Sequence, residues 1–483
     1  MRRIVLSLLV AALARAAADA PPPLPTSFDA LFDASRTMRL DLTRAGGKGV
    51  EVVALDRVVD DGPWAGRRVR LEEDLGLGAL RFRVLDASTG RLLYAEGYSS
   101  IWSEWASTSE AKLTERSFRE SLRLPWPKRA VDVVLERRDD RNAFVPSRTF
   151  RVDPASPEVN AARPVPPGRV RVVLENGPPE GKVDLLLVGE GYAGKDLPKF
   201  RADVDRMVGI LFRYEPFRSR KGDFNVRALE VPSSESGVHN PRASVLRRSP
   251  YGVQYGVFGT ERYALALDDR ALRDAISGVP YDAVAILLNE ARYGGGGIYN
   301  HQSAASVDTA FAEYVFVHEL GHAFAGLGDE YYTSDVAYET GAPELPEPWE
   351  PNVTSARSLV EPKGMKWAGL LSPGVPLPTP WEKEPFEKQS RAFQAERKKR
   401  IAAGAGPASI DELFLEQKGV ESKLLSSMRF SGKVGAFEGA SYEAKGLFRP
   451  AADCLMFTRN DVGFCPVCRR AISRVIDRGS GTE

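Results

Sequence analysis

The sequence His318–Tyr331, HELGHAFAGLGDEY, decides how the rest of this chain is interpreted. Three residues separate His318 from His322, so on an α-helix both imidazoles project from the same face and can reach one ion. Glu319 lies about 100° further around the helix axis than His318. There it can take a proton from water at the metal and pass it to a leaving amine. The pattern predicts a zinc centre with Glu319 as the general base.

The residues around the two histidines favour a catalytic helix over an ordinary packed one. The sequence Glu313–Gly328, EYVFVHELGHAFAGLG, is apolar on most of its surface, which predicts a buried helix. Burying two imidazoles and a carboxylate costs free energy unless something compensates them, and a metal ion does so. The expected N-cap is Asp308 or Thr309, and the helix is expected to stop at Gly326 or Gly328.

Catalytic zinc takes three protein ligands and keeps one position open for water. Asp329 follows His318 by eleven residues, just past two glycines that allow the chain to turn back under the metal. It is the favoured third ligand, and Glu330 is the alternative. The two other histidines, His239 and His301, stay open as further candidates, although neither has ligand-like spacing to the pair.

Two further features lie close to the motif in the sequence. Tyr331 or Tyr332 is a candidate donor to the oxyanion of the tetrahedral intermediate, and the other interpretation is a tyrosine that merely packs after the helix. Residues 294–303, GGGGIYNHQS, precede the motif helix. They are either an edge strand that pairs with an extended peptide through backbone groups, or a flexible loop.

Length and composition are those of a multidomain globular protein. The chain has 483 residues, of which 43% are hydrophobic and 27% charged, enough for two or three domains with their own cores. The net charge is only +1, so no global field favours nucleic acid, and no nucleic-acid partner is expected.

The first eighteen residues have the pattern of a secretory signal peptide. Arg2 and Arg3 precede an apolar run of about ten residues, and small residues follow up to Ala18. Cleavage near Ala18 would release a secreted or periplasmic protein. No later segment is apolar enough to span a bilayer, so stable membrane insertion is not expected.

Composition and periodicity divide the rest of the chain into four parts. Residues 19–27 are a proline-rich spacer, and residues 28–153 show the alternation of short strands, as in TMRLDLT at 37–43, that predicts a β-sandwich. Residues 154–168 hold five prolines and are interpreted as a linker. In residues 169–478, strands alternate with helices, which predicts an α/β catalytic domain. The expected fold class is therefore α+β multidomain.

The region from about 340 to 450 is rich in proline, glycine and charge. The sequence Glu387–Gly404, EKQSRAFQAERKKRIAAG, is the one clear helix there, and Glu396 precedes Arg400 by four residues as in a surface ion pair. A solvated helix on an insertion is therefore expected.

The three cysteines, Cys454, Cys465 and Cys468, fall within the last thirty residues. In an oxidising compartment, one disulfide with a cysteine left over, or free thiols, is expected. A lone CxxC with one more cysteine and no nearby histidine is only a weak candidate for a second zinc site.

Several segments in order along the chain resemble the IgA-peptidase family of zinc metallopeptidases, an outlying branch of the metzincin-like zincins. They are HELGHAFAGLGDEY itself, VDLLLVGEGY at 183–192, NVRALEVPSSESG at 225–237 and CLMFTRNDVGFCPVC at 454–468. LYAEGYSSIWSEW at 93–105 is similar to the N-terminal β-domain of that family. Together these segments cover most of residues 28–475.

The resemblance implies a zincin-like α/β metallopeptidase domain after the N-terminal β-domain. It implies a motif helix that carries His318, Glu319 and His322, with Asp329 in the segment that follows. It also implies a methionine turn under the metal, for which Met456 is the candidate, and a helix after it.

The expected function is a secreted zinc-dependent endopeptidase whose substrate is a protein or peptide. Immunoglobulin specificity does not follow from the resemblance, because specificity lies in pocket-forming loops. One alternative is a secreted β-sandwich binding protein with a non-catalytic metal helix; the carboxylate of Glu319 speaks against it, since binding alone would not need it. The other alternative is an HExxH zinc hydrolase that acts on a non-peptide amide.

Overall fold

The computed structural model describes residues 27–333, 345–360 and 364–481. The predicted signal peptide at residues 1–18 lies outside these ranges, as does nearly all of the predicted spacer at residues 19–27. Within the described ranges, no helix has both the length and the apolar character needed to cross a bilayer.

The N-terminal part consists of two four-stranded sheets. In strand order they are β5-β1-β2-β8 and β4-β3-β6-β7, and every neighbouring pair except β2 and β8 is antiparallel. The strands are β1 (Phe32–Gly47), β2 (Val50–Asp60), β3 (Leu80–Asp86), β4 (Leu92–Tyr98), β5 (Arg116–Pro127), β6 (Val131–Arg138), β7 (Phe144–Val152) and β8 (Val159–Asn160). Strand β8 lies within the segment interpreted as a linker, so part of that segment extends the first sheet.

One core joins the two sheets, because side chains alternate between the faces of a strand. Met38, Leu40 and Leu42 of β1 are fully buried in this core and share it with Phe82 and Val84 of β3. The two sheets therefore pack face to face as a sandwich.

The polar face of β1 is buried as well, and it forms the contact with the second part of the chain. Arg39 is 1% exposed, and its Nη1 donates to Asp61 at 2.6 Å. Nη2 of Arg39 also donates to Oδ1 of Asp274 in the second part, a carboxylate that Arg57 of β2 bonds as well, at 2.6 and 2.7 Å. Buried charges need partners, and here charges from both parts satisfy one another.

The second part is built on a six-stranded sheet in the order β15-β16-β14-β10-β11-β9. The four inner strands are parallel, and each edge strand is antiparallel to its neighbour. The strands of the whole second part are β9 (Arg169–Leu174), β10 (Val183–Glu190), β11 (Phe224–Glu230), β12 (Val253–Tyr255), β13 (Ala264–Ala266), β14 (Ala283–Leu288), β15 (Gly295–Ile298), β16 (Gln302–Ser306), β17 (Thr354–Ser355), β18 (Phe437–Ala440) and β19 (Glu443–Arg449). Strands β12 and β13 pair separately, and so do β17, β19 and β18.

Helices cover both faces of this sheet, which is why β10 is buried along its whole length. Leu185 and Leu187 face the core shared with the motif helix, whereas Leu186 and Val188 face the other side. The helices are α1 (Phe28–Leu31), α2 (Ile101–Ala106), α3 (Leu197–Leu211), α4 (Asp269–Ile276), α5 (Ala312–Ala325), α6 (Ala356–Val360), α7 (Lys383–Ala402), α8 (Pro407–Ser426) and α9 (Pro466–Gly479). The mixed architecture confirms the α+β multidomain class.

The region expected to hold one clear helix contains two long ones, α7 and α8, so that prediction was wrong. Helix α8 begins with Pro407 and buries Ile410, Leu413 and Phe414 at helical spacing. Charged residues between these positions hide the apolar stripe in the sequence. Helix α7 is mostly polar, as predicted, although Phe386 and Ser390 are buried against its neighbours.

Candidate metal centre

Helix α5 begins and ends at residues that fix the direction of the motif. The predicted caps Asp308 and Thr309 are wrong, because Phe311 occupies the N-cap. Thr309 instead bonds Asp411 at 2.9 Å, and Asp308 pairs with Lys199 at 2.9 Å.

The C-terminal end of the helix is as predicted. Gly326 adopts a left-handed conformation with φ of 60°, and its N–H donates to the carbonyl of His322 at 3.0 Å. Only glycine enters this region at little cost. The reversal brings the following residues back beneath the histidines.

Three atoms that could bind a metal ion converge beside the C-terminal half of helix α5. Nε2 of His318 and Nε2 of His322 are 3.0 Å apart. Oδ1 of Asp329 lies 3.1 Å from the first nitrogen and 3.2 Å from the second. The structure thus places His318, His322 and Asp329 in one cluster.

Backbone carbonyls orient both imidazole rings. Nδ1 of His318 donates to the carbonyl of Leu455 at 3.1 Å, and Nδ1 of His322 donates to that of Leu327 at 2.5 Å. A carbonyl only accepts, so each Nδ1 carries a hydrogen, and each Nε2 is the ring nitrogen available to bind a metal ion. Such outer partners fix the tautomer of metal-binding histidines.

The chemistry and spacing of these donors fit one zinc ion. Two imidazole nitrogens and a carboxylate oxygen are zinc ligands, and ligands at about 2.0–2.1 Å from a tetrahedral ion lie roughly 3.3 Å apart. Burial lowers and the Asp329 carboxylate raises the pKa of His322, with a net rise to about 9. The cluster therefore stabilises added positive charge, which a divalent ion provides.

Asp329 is itself held from its other side. Its Oδ2 accepts a hydrogen bond from the hydroxyl of Tyr442, and its carbonyl accepts one from the N–H of Ser441 at 2.8 Å. Ser441 and Tyr442 form the turn between β18 and β19, and both have positive φ, 47° and 66°. Two such residues are the geometry of a tight hairpin turn, and this turn aims Tyr442 at the carboxylate.

Glu319 lies beside the two histidines. A ligand atom of its carboxylate and those of His318 and His322 all lie within 4.8 Å of one another. Burial raises the pKa of Glu319, while the two histidines lower it in part. A carboxylate with a raised pKa next to a metal centre suits proton transfer.

The cluster opens into a cleft of about 400 Å³. Its walls include His318, Glu319, His322 and Asp329, and also Ser103 and Glu104 of the N-terminal part. Both parts of the chain therefore shape the space around the candidate centre. A concave site of this size, with polar groups at its base, is typical of a binding pocket.

Strand β15 is the edge strand of the sheet and forms part of the cleft wall. Of the two interpretations of the glycine run, the structure thus places an edge strand there. A Cβ on Gly297 would lie 2.3 Å from the carbonyl oxygen of Glu319 and 2.8 Å from Cβ of His322. Glycine is needed there because the backbone of β15 packs directly against helix α5.

The two candidate tyrosines have different surroundings. The ring of Tyr331 stacks beside His318, at 6.2 Å between centroids, and its hydroxyl accepts a hydrogen bond from Arg262 at 3.1 Å. Tyr331 lines the cleft. Tyr332 is buried beside Trp381 and Phe386 and, unlike Phe386, does not line the cleft.

The remaining ligand candidates lie elsewhere. His301 pairs with Asp269 at 3.2 Å, and His239 accepts a hydrogen bond from the N–H of Arg247 at 3.2 Å. Glu330 is fully buried, and its carboxylate points to the cysteines. His239, His301 and Glu330 therefore do not lie in the cluster formed by His318 and His322.

Sequence reasoning missed four groups that support the site. They are Tyr442, Arg262, the carbonyl of Leu455, and Asn352, which bonds both the N–H and the carbonyl of Gly328, at 2.8 and 2.9 Å. All four lie outside the motif, and a single hydrogen-bonding group gives no periodic signal in a sequence. Only the segment around Leu455 was indicated, through the predicted methionine turn.

Met456 lies under the motif helix. Its carbonyl accepts the N–H of Glu330 at 2.9 Å, and its sulfur would be 3.1 Å from a Cβ on Gly321. The segment that includes Met456 therefore braces both the helix and the residues after it.

Two imidazoles and a carboxylate at the base of a cleft are the ligand types of a metal-dependent hydrolase. Two family models match the chain. The model described as IgA Peptidase M64 matches residues 172–476, and the one described as Peptidase M64 N-terminus matches residues 27–148. The chain belongs to the IgA peptidase M64 family. It is therefore a peptidase of the metalloprotease type, and its substrate class is protein or peptide. No curated protein matches the chain.

Proposed function

We propose that this protein is an exported zinc-dependent endopeptidase with a zincin-like catalytic domain. The observation that carries the proposal is the convergence of His318, His322 and Asp329 within 3.2 Å of one another at the base of an open cleft. These three residues would hold the ion. The position of Glu319 beside them supports a catalytic rather than a structural role.

A bound zinc ion would supply Lewis-acid polarisation of the scissile carbonyl and lower the pKa of water toward about 7. Glu319 takes the proton from the attacking water and delivers it to the leaving amine. Tyr331 donates its hydroxyl hydrogen to the developing oxyanion. Arg262 already donates to the oxygen of that hydroxyl at 3.1 Å, which leaves the tyrosine hydrogen for the substrate.

The substrate binds in extended form along the edge strand. Gly295 and Gly297 of β15 lie at the wall of the cleft, and β-strand addition needs only backbone groups. The N–H of Gly295 already bonds the carbonyl of Arg262 at 3.1 Å, so pairing takes place at Gly297. Ser103 and Glu104 of the N-terminal part limit the substrate on the other side.

The test combines metal analysis with proteolysis. Wild type, His322→Ala and Glu319→Gln are purified, and their zinc content is measured. Their digestion of casein and their hydrolysis of a small non-peptide amide are then followed. We expect His322→Ala to lose one zinc equivalent relative to wild type. Glu319→Gln should keep the wild-type zinc content and lose several orders of magnitude in activity.

Contrary outcomes are equally definite. Full proteolysis by Glu319→Gln would rule out the general-base role. Cleavage of the small amide without any digestion of casein would contradict the endopeptidase activity and indicate an amide hydrolase. An unchanged zinc content in His322→Ala would remove the proposed centre.

A further inference from the structure

The three cysteines converge with Glu330 behind the candidate catalytic centre. Cys454, Cys468 and Glu330 are completely buried, and Cys465 is 5% exposed. One ligand atom from each of the four residues lies within 4.8 Å of the others. All three cysteines lie in the described part of the chain and are free thiols, which is one of the two expected states, a disulfide or free thiols.

We propose that Cys454, Cys465, Cys468 and Glu330 bind a second zinc ion, with a structural role. Sγ of Cys454 and Sγ of Cys468 are 3.8 Å apart, and Sγ of Cys468 is 3.3 Å from Oε1 of Glu330. Thiolates at about 2.3 Å from a tetrahedral zinc ion lie roughly 3.8 Å apart, and a carboxylate oxygen comes slightly closer. A disulfide would need about 2.05 Å between sulfurs.

The carboxylate of Glu330 supplies the independent sign of a ligand. Its Oε1 accepts a hydrogen bond from Asn352 at 2.9 Å. Its Oε2 is buried and has no hydrogen-bond partner among the described residues. A buried, unpartnered carboxylate oxygen is costly, and a cation among the thiolates gives it a partner.

The local backbone favours thiolates at this place. The N–H of Cys465 donates to Sγ of Cys454 at 3.3 Å, a contact that stabilises a thiolate ligand. Cys465 is the N-cap of helix α9, and Cys468 lies in its first turn. The positive end of a helix lowers the cost of negative sulfur.

The donor set selects a closed zinc site. Three thiolates and one carboxylate fill a tetrahedron and leave no position for water, which is the pattern of structural rather than catalytic zinc. Among the described residues that line the cleft, none belongs to this set. The second ion would therefore not meet substrate.

The site would stabilise the catalytic centre through two short connections. Glu330 directly follows Asp329, so the two carboxylates fix one peptide unit between the two ions. Cys454 directly precedes Leu455, whose carbonyl orients His318 at 3.1 Å. A metal at the cysteines thus holds two outer supports of the histidine cluster, and its loss should weaken zinc binding there about 10–100-fold.

The first experiment uses the wild-type chain, purified without chelator. We expect two zinc equivalents, a zinc–sulfur distance of about 2.3 Å in X-ray absorption spectra, and a thiolate-to-metal charge-transfer band after cobalt substitution. One zinc equivalent with only nitrogen and oxygen neighbours would overturn the proposal. A disulfide in denaturing mass spectrometry of that preparation would overturn it as well.

Variants separate this site from the proposed catalytic one. The double variant His318→Ala, His322→Ala should keep one zinc equivalent, bound by sulfur. Glu330→Gln should lose the sulfur-bound zinc, whereas Glu190→Gln, a matched change at another fully buried carboxylate, should keep both. Retention of the sulfur-bound zinc by Glu330→Gln would remove Glu330 from the site, and the loss of all zinc in the histidine variant would contradict a separate site.

Discussion

Tyr442 donates its hydroxyl hydrogen to Oδ2 of Asp329, the carboxylate whose Oδ1 lies against both motif histidines. The two residues are more than one hundred positions apart in the chain. The hydrogen bond holds the carboxylate in the orientation that the candidate centre requires.

Removal of that hydroxyl tests its role. We expect Tyr442→Phe to bind zinc about 10–100-fold more weakly, because an outer partner of a ligand is lost. Competition with a chelator of known affinity gives the measurement. The control is Tyr251→Phe, since the buried hydroxyl of Tyr251 has no hydrogen-bond partner among the described residues. Wild-type affinity in Tyr442→Phe would contradict this role.

Tyr331→Phe tests the oxyanion donor. We expect kcat to fall about 10²–10³-fold with zinc content and KM unchanged, because the hydrogen bond forms only in the transition state. Tyr332→Phe is the matched control, since Tyr332 is buried beside Trp381 and does not line the cleft. Steady-state kinetics on one peptide compares both variants. An equal loss in both would assign the effect to packing.

Gly297→Ala tests the contact between the edge strand and the metal helix. The added Cβ would lie 2.3 Å from the carbonyl oxygen of Glu319, so the strand and the helix must separate. We expect kcat/KM to fall at least about 100-fold, because the catalytic groups move. Gly419→Ala is the control: it lies within helix α8 with open space around it, and should stabilise the protein by about 0.5–1 kcal/mol. Wild-type kinetics in Gly297→Ala would refute the contact.

The two parts of the chain are joined by a buried carboxylate. Oε1 of Glu96 accepts a hydrogen bond from Arg478 at 2.7 Å, and Oε2 accepts one from Arg67 at 2.5 Å. Burial raises and the two arginines lower the pKa of Glu96, with a net fall to about 2. The ordinary value is 4.5, so the unfolded state takes up the proton first as the pH falls.

This difference predicts a pH dependence of the free energy of unfolding. The contribution of Glu96 is fully present above about pH 5 and is lost between there and pH 2; it amounts to about 3 kcal/mol. Glu96→Gln should lower the free energy of unfolding at pH 7. It should also reduce the loss of that free energy between about pH 5 and pH 2, as measured by urea titrations. Asp132→Asn, which breaks an exposed pair with Arg151, should cost less than about 1 kcal/mol. Equal pH profiles for Glu96→Gln and wild type would contradict the assignment.

Local patterns carried much of the interpretation. The α+β multidomain class and the family follow from strand and helix periodicity and from short ordered motifs. Helix α8 was missed because charged residues interrupt its apolar stripe, which Ile410, Leu413 and Phe414 form. The N-cap was misassigned because tertiary contacts with Asp411 and Lys199 take the side chains of Thr309 and Asp308.

The sequence by itself determined that His318 and His322 share one helix face, because helical geometry depends only on their spacing. It could not determine which way the neighbouring carboxylates point. That was decided by tertiary contacts: Tyr442 holds Asp329 towards the histidines, and Asn352 holds Glu330 towards the cysteines. The physical reason is that these segments are irregular. Their backbone follows no repeating hydrogen-bond pattern, so distant side chains fix its direction.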